Sequence, residues 1–167
     1  DTEAAALAER LGLPLMIKPA SEGSSIGIAK VERVEDIVPA YHGAAKYDSV
    51  VIAEQFINGI ELTAGILADE ALPLIRLETS RRFYDYEAKY LADDTRYILP
   101  CGLPPDAERV IQREAFRAYT VLGCRGWGRV DLMVDDSGRP YFLEVNTAPG
   151  MTDHSLVPMA ARHADRK

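Results

Sequence analysis

The feature that most constrains this chain is a pair of alternating segments, Gly128 to Val134 and Pro140 to Asn146, joined across Asp135-Asp136-Ser137-Gly138. Side chains two apart on a strand share a face. Val130, Leu132 and Val134 therefore point one way, and Arg129, Asp131 and Met133 the other. On the second segment Tyr141, Leu143 and Val145 share one face, and Phe142, Glu144 and Asn146 share the opposite one. A turn of even length sets Arg129 opposite Glu144 and Asp131 opposite Phe142; an odd length overturns that geometry. With the even turn, one side of the ribbon is apolar core. The other gathers Arg129, Asp131, Glu144 and Asn146, as cross-strand and diagonal neighbours about 5–8 Å apart. Two carboxylates and an amide oxygen are hard ligands, suited to Mg2+ or Mn2+ shared with a phosphate. An arginine beside them suits an anion that gains charge during reaction. A surface ion pair would use the same residues, but four polar groups on one face with a wholly apolar reverse favour a functional site.

The rest of the chain supplies helices and further strands. Thr2 to Leu11 reads as a helix with Thr2 as a cap and Gly12 as the stop. Leu13 to Lys18 and Ile26 to Val31 read as two strands of a hairpin around a Gly/Ser loop, and Glu35 to Lys46 as a weaker helix interrupted by Pro39 and Gly43. Val50 to Phe56, Glu61 to Leu67 and Leu72 to Glu78 read as a run of antiparallel strands turning at Asn58-Gly59 and Asp69-Glu70. Apolar periodicity disappears between Thr79 and Thr95, where a long Arg/Tyr-rich loop is expected. Asp106 to Leu122 is a strong helix with Val110, Ile111, Phe116 and Tyr119 as its apolar stripe and Gly123 closing it. Helices among mostly antiparallel strands make the fold class α+β.

Composition narrows the function. The chain has 167 residues, with 19 Lys and Arg against 26 Asp and Glu and a net charge of -7, which argues against a general nucleic-acid binder. No apolar stretch approaches the roughly 20 residues of a membrane-spanning helix. The start, Asp1-Thr2-Glu3, has the character of neither the basic nor the apolar part of a secretory signal. The two cysteines, Cys101 and Cys124, stand far apart with no metal-binding spacing, as expected of a cytosolic protein without a disulfide framework. The chain starts without Met and in mid-helix, so a piece of a longer polypeptide is expected.

Four other groups of residues carry possible chemistry. Lys18-Pro19 precedes Glu22-Gly23-Ser24-Ser25-Ile26-Gly27, where glycines allow close backbone approach and N–H and hydroxyl groups can enclose phosphate oxygens. This is not the P-loop pattern, and a Gly/Ser hairpin is as often only a turn. Glu54, Ile57 and Glu61 lie at strand ends that could offer backbone groups to a base and a carboxylate to hydroxyls, although exposed acids at strand ends need no ligand. Lys89 and Tyr90 could close over a ligand from the long loop. Gly150 could present its N–H to an oxyanion and Ser155 could hold a carboxylate at a helix start, or Ser155 could simply cap that helix. His42, His154 and His163 have no nucleophile or carboxylate pattern around them.

In order along the chain, these residues resemble the ATP-grasp ligases, and among them the D-alanine–D-alanine ligase family. The resemblance spans nearly the whole sequence. It is carried by Lys18-Pro19 with EGSSIG at 22–27, FYDYEAKYL at 83–91, GCRGWGRVDLMV at 123–134 and FLEVNTAPGMTDHSLVP at 142–158. It implies ATP held between two α+β lobes: residues 1–57 as a partial central lobe with the phosphate loop, and 58–167 as the C-terminal lobe with a mobile loop at 81–95. Lys18 would meet the α- and β-phosphates, and Ser24 and Ser25 would fold over the γ-phosphate. Glu54 and Ile57 would meet adenine, and Glu61 the ribose. Asp131, Glu144 and Asn146 would hold two Mg2+ or Mn2+ ions. Arg129 and the Gly150 N–H would stabilise the acyl-phosphate and tetrahedral species, with Ser155 and Leu156 near the second D-alanine. Lys89 and Tyr90 would cover the site, and a tyrosine at 90 looks like D-alanine rather than D-lactate preference. The implied activity is ATP-dependent joining of two D-alanines for peptidoglycan precursors, in the cytoplasm, with no nucleic-acid or membrane partner. A homodimer is the state implied for the full-length parent. The family's N-terminal domain, which binds the first D-alanine, has no counterpart in these residues. The rival expectations are another ATP-grasp carboxylate–amine ligase and a non-catalytic ATP-binding fragment.

Overall fold

The structure, a computed structural model, describes residues 2–22, 26–79 and 95–166. These divide into two compact units, one within Asp1–Phe56 and one formed by Ile57–Ser80 with Thr95–Lys167.

The first unit begins with helix α1 (Thr2–Leu11), which ends where Gly12, at φ +79°, donates its N–H to the Ala8 carbonyl. That left-handed C-terminal step costs least at glycine. Strands β1 (Leu15–Pro19), β2 (Ala29–Val31) and β3 (Val51–Gln55) form a three-stranded antiparallel sheet in the order β2-β1-β3. A 3-10 turn, Val34–Asp36, leads into helix α2 (Ile37–Ala44). Leu15 and Ile17 alternate into a core with Ala4, Val31, Ile37 and Ala44, while Met16 and Lys18 take the other face. The expected hairpin around the Gly/Ser segment is present, with Ile17 opposite Ala29.

The expected run of strands turning at Asn58-Gly59 is not. β3 pairs with β1, placing Ala53 opposite Ile17, whereas β4 (Gly59–Leu67) belongs to the second unit. Gly59 is not a hairpin tip: it is the first residue of β4 and pairs with Asp135. A Cβ on Gly59 would lie 2.0 Å from the Val134 carbonyl oxygen, so glycine is needed for close backbone approach. An Asn-Gly pair serves both purposes, and local sequence does not distinguish them.

In the second unit β4 is joined by β5 (Glu70–Ala71), β6 (Ile75–Thr79), β7 (Thr95–Ile98), β8 (Trp127–Asp135) and β9 (Pro140–Asn146). Among the described residues the six strands are antiparallel, in the order β7-β6-β4-β8-β9 with β5 on β4. Leu62, Ala64 and Ile66 of β4 and Val130, Leu132 and Val134 of β8 meet helix α3 (Pro105–Val121) through Ile111, Ala115 and Tyr119. Those three helix positions recur every four residues and so form one stripe. Val110, expected in the stripe, is 44% exposed, and Ala115 takes the inward place instead. The expected strand from Leu72 begins only at Ile75. α3 explains why: Gln112 donates to the Ala71 and Leu72 carbonyls, and Glu108 accepts from the Leu74 N–H. Side chains thus satisfy a buried backbone that would otherwise need a ladder partner. On the opposite face, helix α4 (Leu156–His163) buries Val157 and Ala160 against Leu72 and Ile75, and its Val157 comes close at Gly65.

The β8–β9 connection is fixed by Asp135. Its Oδ1 accepts hydrogen bonds from the Ser137 hydroxyl and from the Ser137 and Arg139 amides, and its Oδ2 accepts one from the Tyr141 hydroxyl. Gly138 takes φ +83° and donates its N–H to the Asp135 carbonyl. The Ser137 hydroxyl, followed by the Arg139 amide, holds the Asp135 carboxyl below its ordinary range.

Two predictions follow from these contacts. Gly59→Ala forces a Cβ into a backbone oxygen that cannot rotate away, and should destabilise the protein by about 3 kcal/mol, the upper end of what overpacking costs. A denaturation midpoint unchanged from wild type would contradict the close approach. A carboxyl whose folded pKa is depressed stabilises above its unfolded value and loses that contribution as pH falls through the folded value. Asp135→Ala should therefore lower the melting temperature at pH 7, and the difference should shrink as pH falls below about 4. A difference constant with pH would mean that the ionised carboxylate is not what holds the turn.

Candidate functional site

The polar face of β8–β9 forms, but not by the expected register. Val134 pairs with Pro140, Met133 with Tyr141 and Leu132 with Phe142, so the connection is odd in length. Carried further, that register would set Asp131 opposite Leu143 and place Glu144 on the core face. The ladder shifts between Asp131 and Leu132: Leu143 has no partner, and beyond it Asp131 faces Glu144, Val130 faces Val145 and Arg129 faces Asn146. The extra residue is a β-bulge, which resets which side chains face which side. It corrects two expected pairs: Arg129 opposes Asn146 rather than Glu144, and Asp131 opposes Glu144 rather than Phe142. Phe142 leaves the polar face and pairs with the core residue Leu132.

On that face Arg129 grips Asp131 in a two-pronged ion pair, Nε at 2.9 Å from Oδ1 and 3.1 Å from Oδ2, and a terminal nitrogen at 2.7 Å from Oδ2. The same guanidinium lies 3.9 Å from Glu144 Oε1. Burial works against its charge, but the hydrogen bonds to Asp131 and the nearby Asp131 and Glu144 charges prevail and raise its pKa further. Asn146 Oδ1 accepts the Ala148 N–H at 3.1 Å, which fixes the amide while leaving its oxygen a second lone pair. Among the described residues no three His, Cys, Asp or Glu side chains gather. The set here is two paired carboxylates and an amide oxygen, an all-oxygen donor group that fits a hard divalent cation.

Thr63, absent from the sequence expectations, belongs to this site. It pairs with Asp131 across β4–β8, is 1% exposed, and donates its hydroxyl to Asp131 Oδ1 at 2.6 Å. The alternation of β4 could have revealed it, since Glu61, Thr63 and Gly65 all oppose the Leu62, Ala64 and Ile66 face. Glu61 lies on this same site face, opposite Met133, and Ile57 is half-buried just before β4.

After β9 the chain runs through exposed Gly150 to Ser155, which stands at the N-cap of α4 in extended conformation without capping it. The Ser155 hydroxyl instead accepts the Thr152 N–H at 3.0 Å and meets the Thr152 hydroxyl at 2.9 Å. A Cβ on Gly150 would sit 2.9 Å from Ser155 Oγ, so these two expected residues are neighbours. Leu156 opens α4 and is half-buried.

In the first unit Lys18 Nζ lies 2.5 Å from Glu54 Oε1, reaching diagonally from β1 to β3. Where the Gly/Ser segment leaves β1, Asp48 accepts the Ser21 and Val50 amides, and the Ala20 N–H donates to the Val50 carbonyl. The Val50 amide, then the Ser21 contacts, hold the Asp48 carboxyl below its ordinary range. Ser24, Ser25, Lys89 and Tyr90 lie outside the described residues, as does nearly all of the loop expected over 81–95.

Two α+β units of antiparallel sheet, one with a lysine ending a strand before a Gly/Ser segment and one with an acidic strand pair, define an ATP-grasp fold. The profile described as "D-ala D-ala ligase C-terminus" matches residues 1–165, and the chain belongs to that family. It is 57% identical over 162 residues to the D-alanine–D-alanine ligase of Dechloromonas aromatica, covering 97% of this chain and 54% of that protein. The VanG D-Ala:D-Ser ligase of Enterococcus faecalis matches with TM-score 0.85 and 37% identity, over 98% of this chain and 49% of that one. The D-alanine–D-alanine ligase of Bacillus anthracis complexed with ATP matches with TM-score 0.78 and 32% identity, over 94% and 49%. The chain thus spans about half the length of the relatives it matches.

The contact between Gly150 and Ser155 is directly testable. Gly150→Ala should cost only about 1 kcal/mol, because a hydroxyl can rotate away where a backbone atom cannot. It should nonetheless break the Thr152–Ser155 hydrogen bond. A crystal structure of the variant with Ser155 Oγ still 3.0 Å from the Thr152 nitrogen would contradict this.

Proposed function

We propose that the chain is the nucleotide- and metal-binding portion of an ATP-dependent ligase that joins two D-alanines to D-alanyl-D-alanine for peptidoglycan precursors. The observation that carries the proposal is the bulge-set face of β8–β9, where Asp131, Glu144, Asn146 and Arg129 meet in a chain of the D-alanine–D-alanine ligase C-terminal family. The 57% identity to a curated D-alanine–D-alanine ligase, over 97% of this chain, supports D-alanine as the acceptor.

In this proposal residues 1–57 are part of the central lobe and 58–167 are the C-terminal lobe. Lys18, positioned by Glu54, meets the α- and β-phosphates of ATP, and Ser24 and Ser25 cover the γ-phosphate. Glu54 and Ile57 meet adenine, and Glu61 the ribose. Asp131, Glu144 and Asn146 hold two Mg2+ or Mn2+ ions, which supply positive charge where the transferring phosphoryl oxygens gain negative charge. The carboxylate of one D-alanine takes the γ-phosphoryl group, and the amine of the second attacks the resulting acyl phosphate and displaces phosphate. Arg129 and the Gly150 N–H stabilise the charge that develops on the reacting oxygens. Ser155 and Leu156 contact the second D-alanine, while Lys89 and Tyr90 cover the site, with Tyr90 favouring D-alanine over D-lactate.

The proposal extends to a cytoplasmic location and a homodimeric full-length protein, with no nucleic-acid or membrane partner. The net charge of -7 supports the exclusion of nucleic acid. Among the described residues no helix is long and apolar enough to cross a membrane.

The decisive measurement is ADP formation by the full-length protein with Mg2+ and ATP as D-alanine is added. D-alanine-dependent turnover is expected, and Glu144→Gln should lower it by about 10²–10³-fold, as loss of a preorganised electrostatic group does. Turnover with another acceptor alone would replace the substrate, and tight ATP binding without turnover would favour a non-catalytic binding fragment. Near-normal activity of Glu144→Gln would remove the metal assignment.

A further inference from the structure

We propose that Thr63 is a positioning residue for the cation site, its hydroxyl holding the Asp131 carboxylate in the orientation that receives the metal. This rests on the proposed function, in which Asp131 is a metal ligand. The terminal torsion of an aspartate is broad and roughly two-fold, so a carboxylate on a rigid strand still rotates unless something holds it. Arg129 holds both oxygens of Asp131, but its guanidinium is also within 3.9 Å of Glu144 and is shared between the two acids. Thr63 is attached differently. It lies in the middle of β4, flanked across the sheet by Asp131 on β8 and by Ile75 on β6. Ile75 is 1% exposed, and so is Thr63, which is the one buried polar residue among those described.

A buried hydroxyl needs an acceptor, and this one donates to Asp131 Oδ1. Branching at Cβ stiffens the Thr63 side chain, so the donor is aimed rather than merely available. The donor is also neutral. It orients the carboxylate without cancelling the negative charge that attracts a divalent cation, and it shares Oδ1 with the Arg129 Nε 2.9 Å away. A lysine or arginine in its place would hold the carboxylate equally well but would repel the ion. Groups that orient a metal ligand in this way typically change metal affinity about 10–100-fold when removed.

The test compares Thr63→Val, which keeps the shape and loses the hydroxyl, with Thr63→Ser, which keeps the hydroxyl. Mn2+ alone is titrated into the full-length protein and free ion is followed by its paramagnetic resonance signal, with thermal melting in parallel. Thr63→Val should weaken Mn2+ binding about 10–100-fold, and Thr63→Ser should restore it to within about threefold of wild type. The melting temperatures should not follow that order, since the serine leaves a methyl-sized gap and the valine does not. Unchanged Mn2+ affinity in Thr63→Val, or equal weakening in both variants, would overturn the role of Thr63 while leaving the metal site in place. Absence of Mn2+ binding by the wild type would overturn the metal assignment, and this inference with it.

Discussion

β4 and β8 pair along their full nine-residue lengths, and the second unit depends on that ladder. It sets Leu62 opposite Leu132 and Ala64 opposite Val130 on one face, where α3 closes a core. By the same register it sets Thr63 opposite Asp131 and Gly65 opposite Arg129 on the other. Because alternation is strict, one ladder fixes core and site together, and a slip of one residue would exchange them. Gly59 begins the pairing at a backbone separation that no side chain tolerates. At the other end Tyr119 of α3 directs its hydroxyl between the Arg125 and Trp127 carbonyls, 2.9 Å from each. A Cβ on Gly128 would strike the same ring, so helix, ring and strand lock against each other just before Arg129.

Electrostatics at the site follow from that rigidity. Arg129 and Asp131 are on the same strand face, both partly withdrawn from water, and each offsets the desolvation of the other. The pairing raises the Arg129 pKa although burial works the other way. A neutral donor on one side and a guanidinium on the other orient the Asp131 carboxylate. In the first unit the same economy recurs: Lys18 and Glu54 are held within 2.5 Å by neighbouring strands, and the start of the Gly/Ser segment after β1 is fixed through Asp48.

Much of this was legible in the residues. α1, α3 and the β8–β9 pair follow from period and capping glycines, with boundaries within a residue or two of those expected. The four polar residues of β8 and β9 were expected on one face and are there. The expected reason was different: it relied on an even connection, whereas the connection is odd and the bulge at Leu143 restores the parity. Nothing in Phe142-Leu143-Glu144 marks a bulge, because the unpaired residue is recognisable only once its partner strand is placed. The Asn58-Gly59 signal failed for a related reason, since glycine permits a turn and permits close packing by the same lack of a Cβ. Val110 and Ala115 exchanged places because a helix stripe read from hydrophobicity alone overlooks that a small residue can face the sheet where backbones come close.

By itself the sequence determined most of the helices and strands, though not β7, that the fold is α+β, and which residues carry charge on an otherwise apolar framework. These are local properties, written in spacing over a few residues. Tertiary structure decided partners: that β3 joins β1 and not β4, that Asp131 faces Glu144 across a bulge, and that a buried threonine on a third strand holds the aspartate. Pairing between distant strands is set by the core they jointly bury, and no window of sequence contains both sides of that contact.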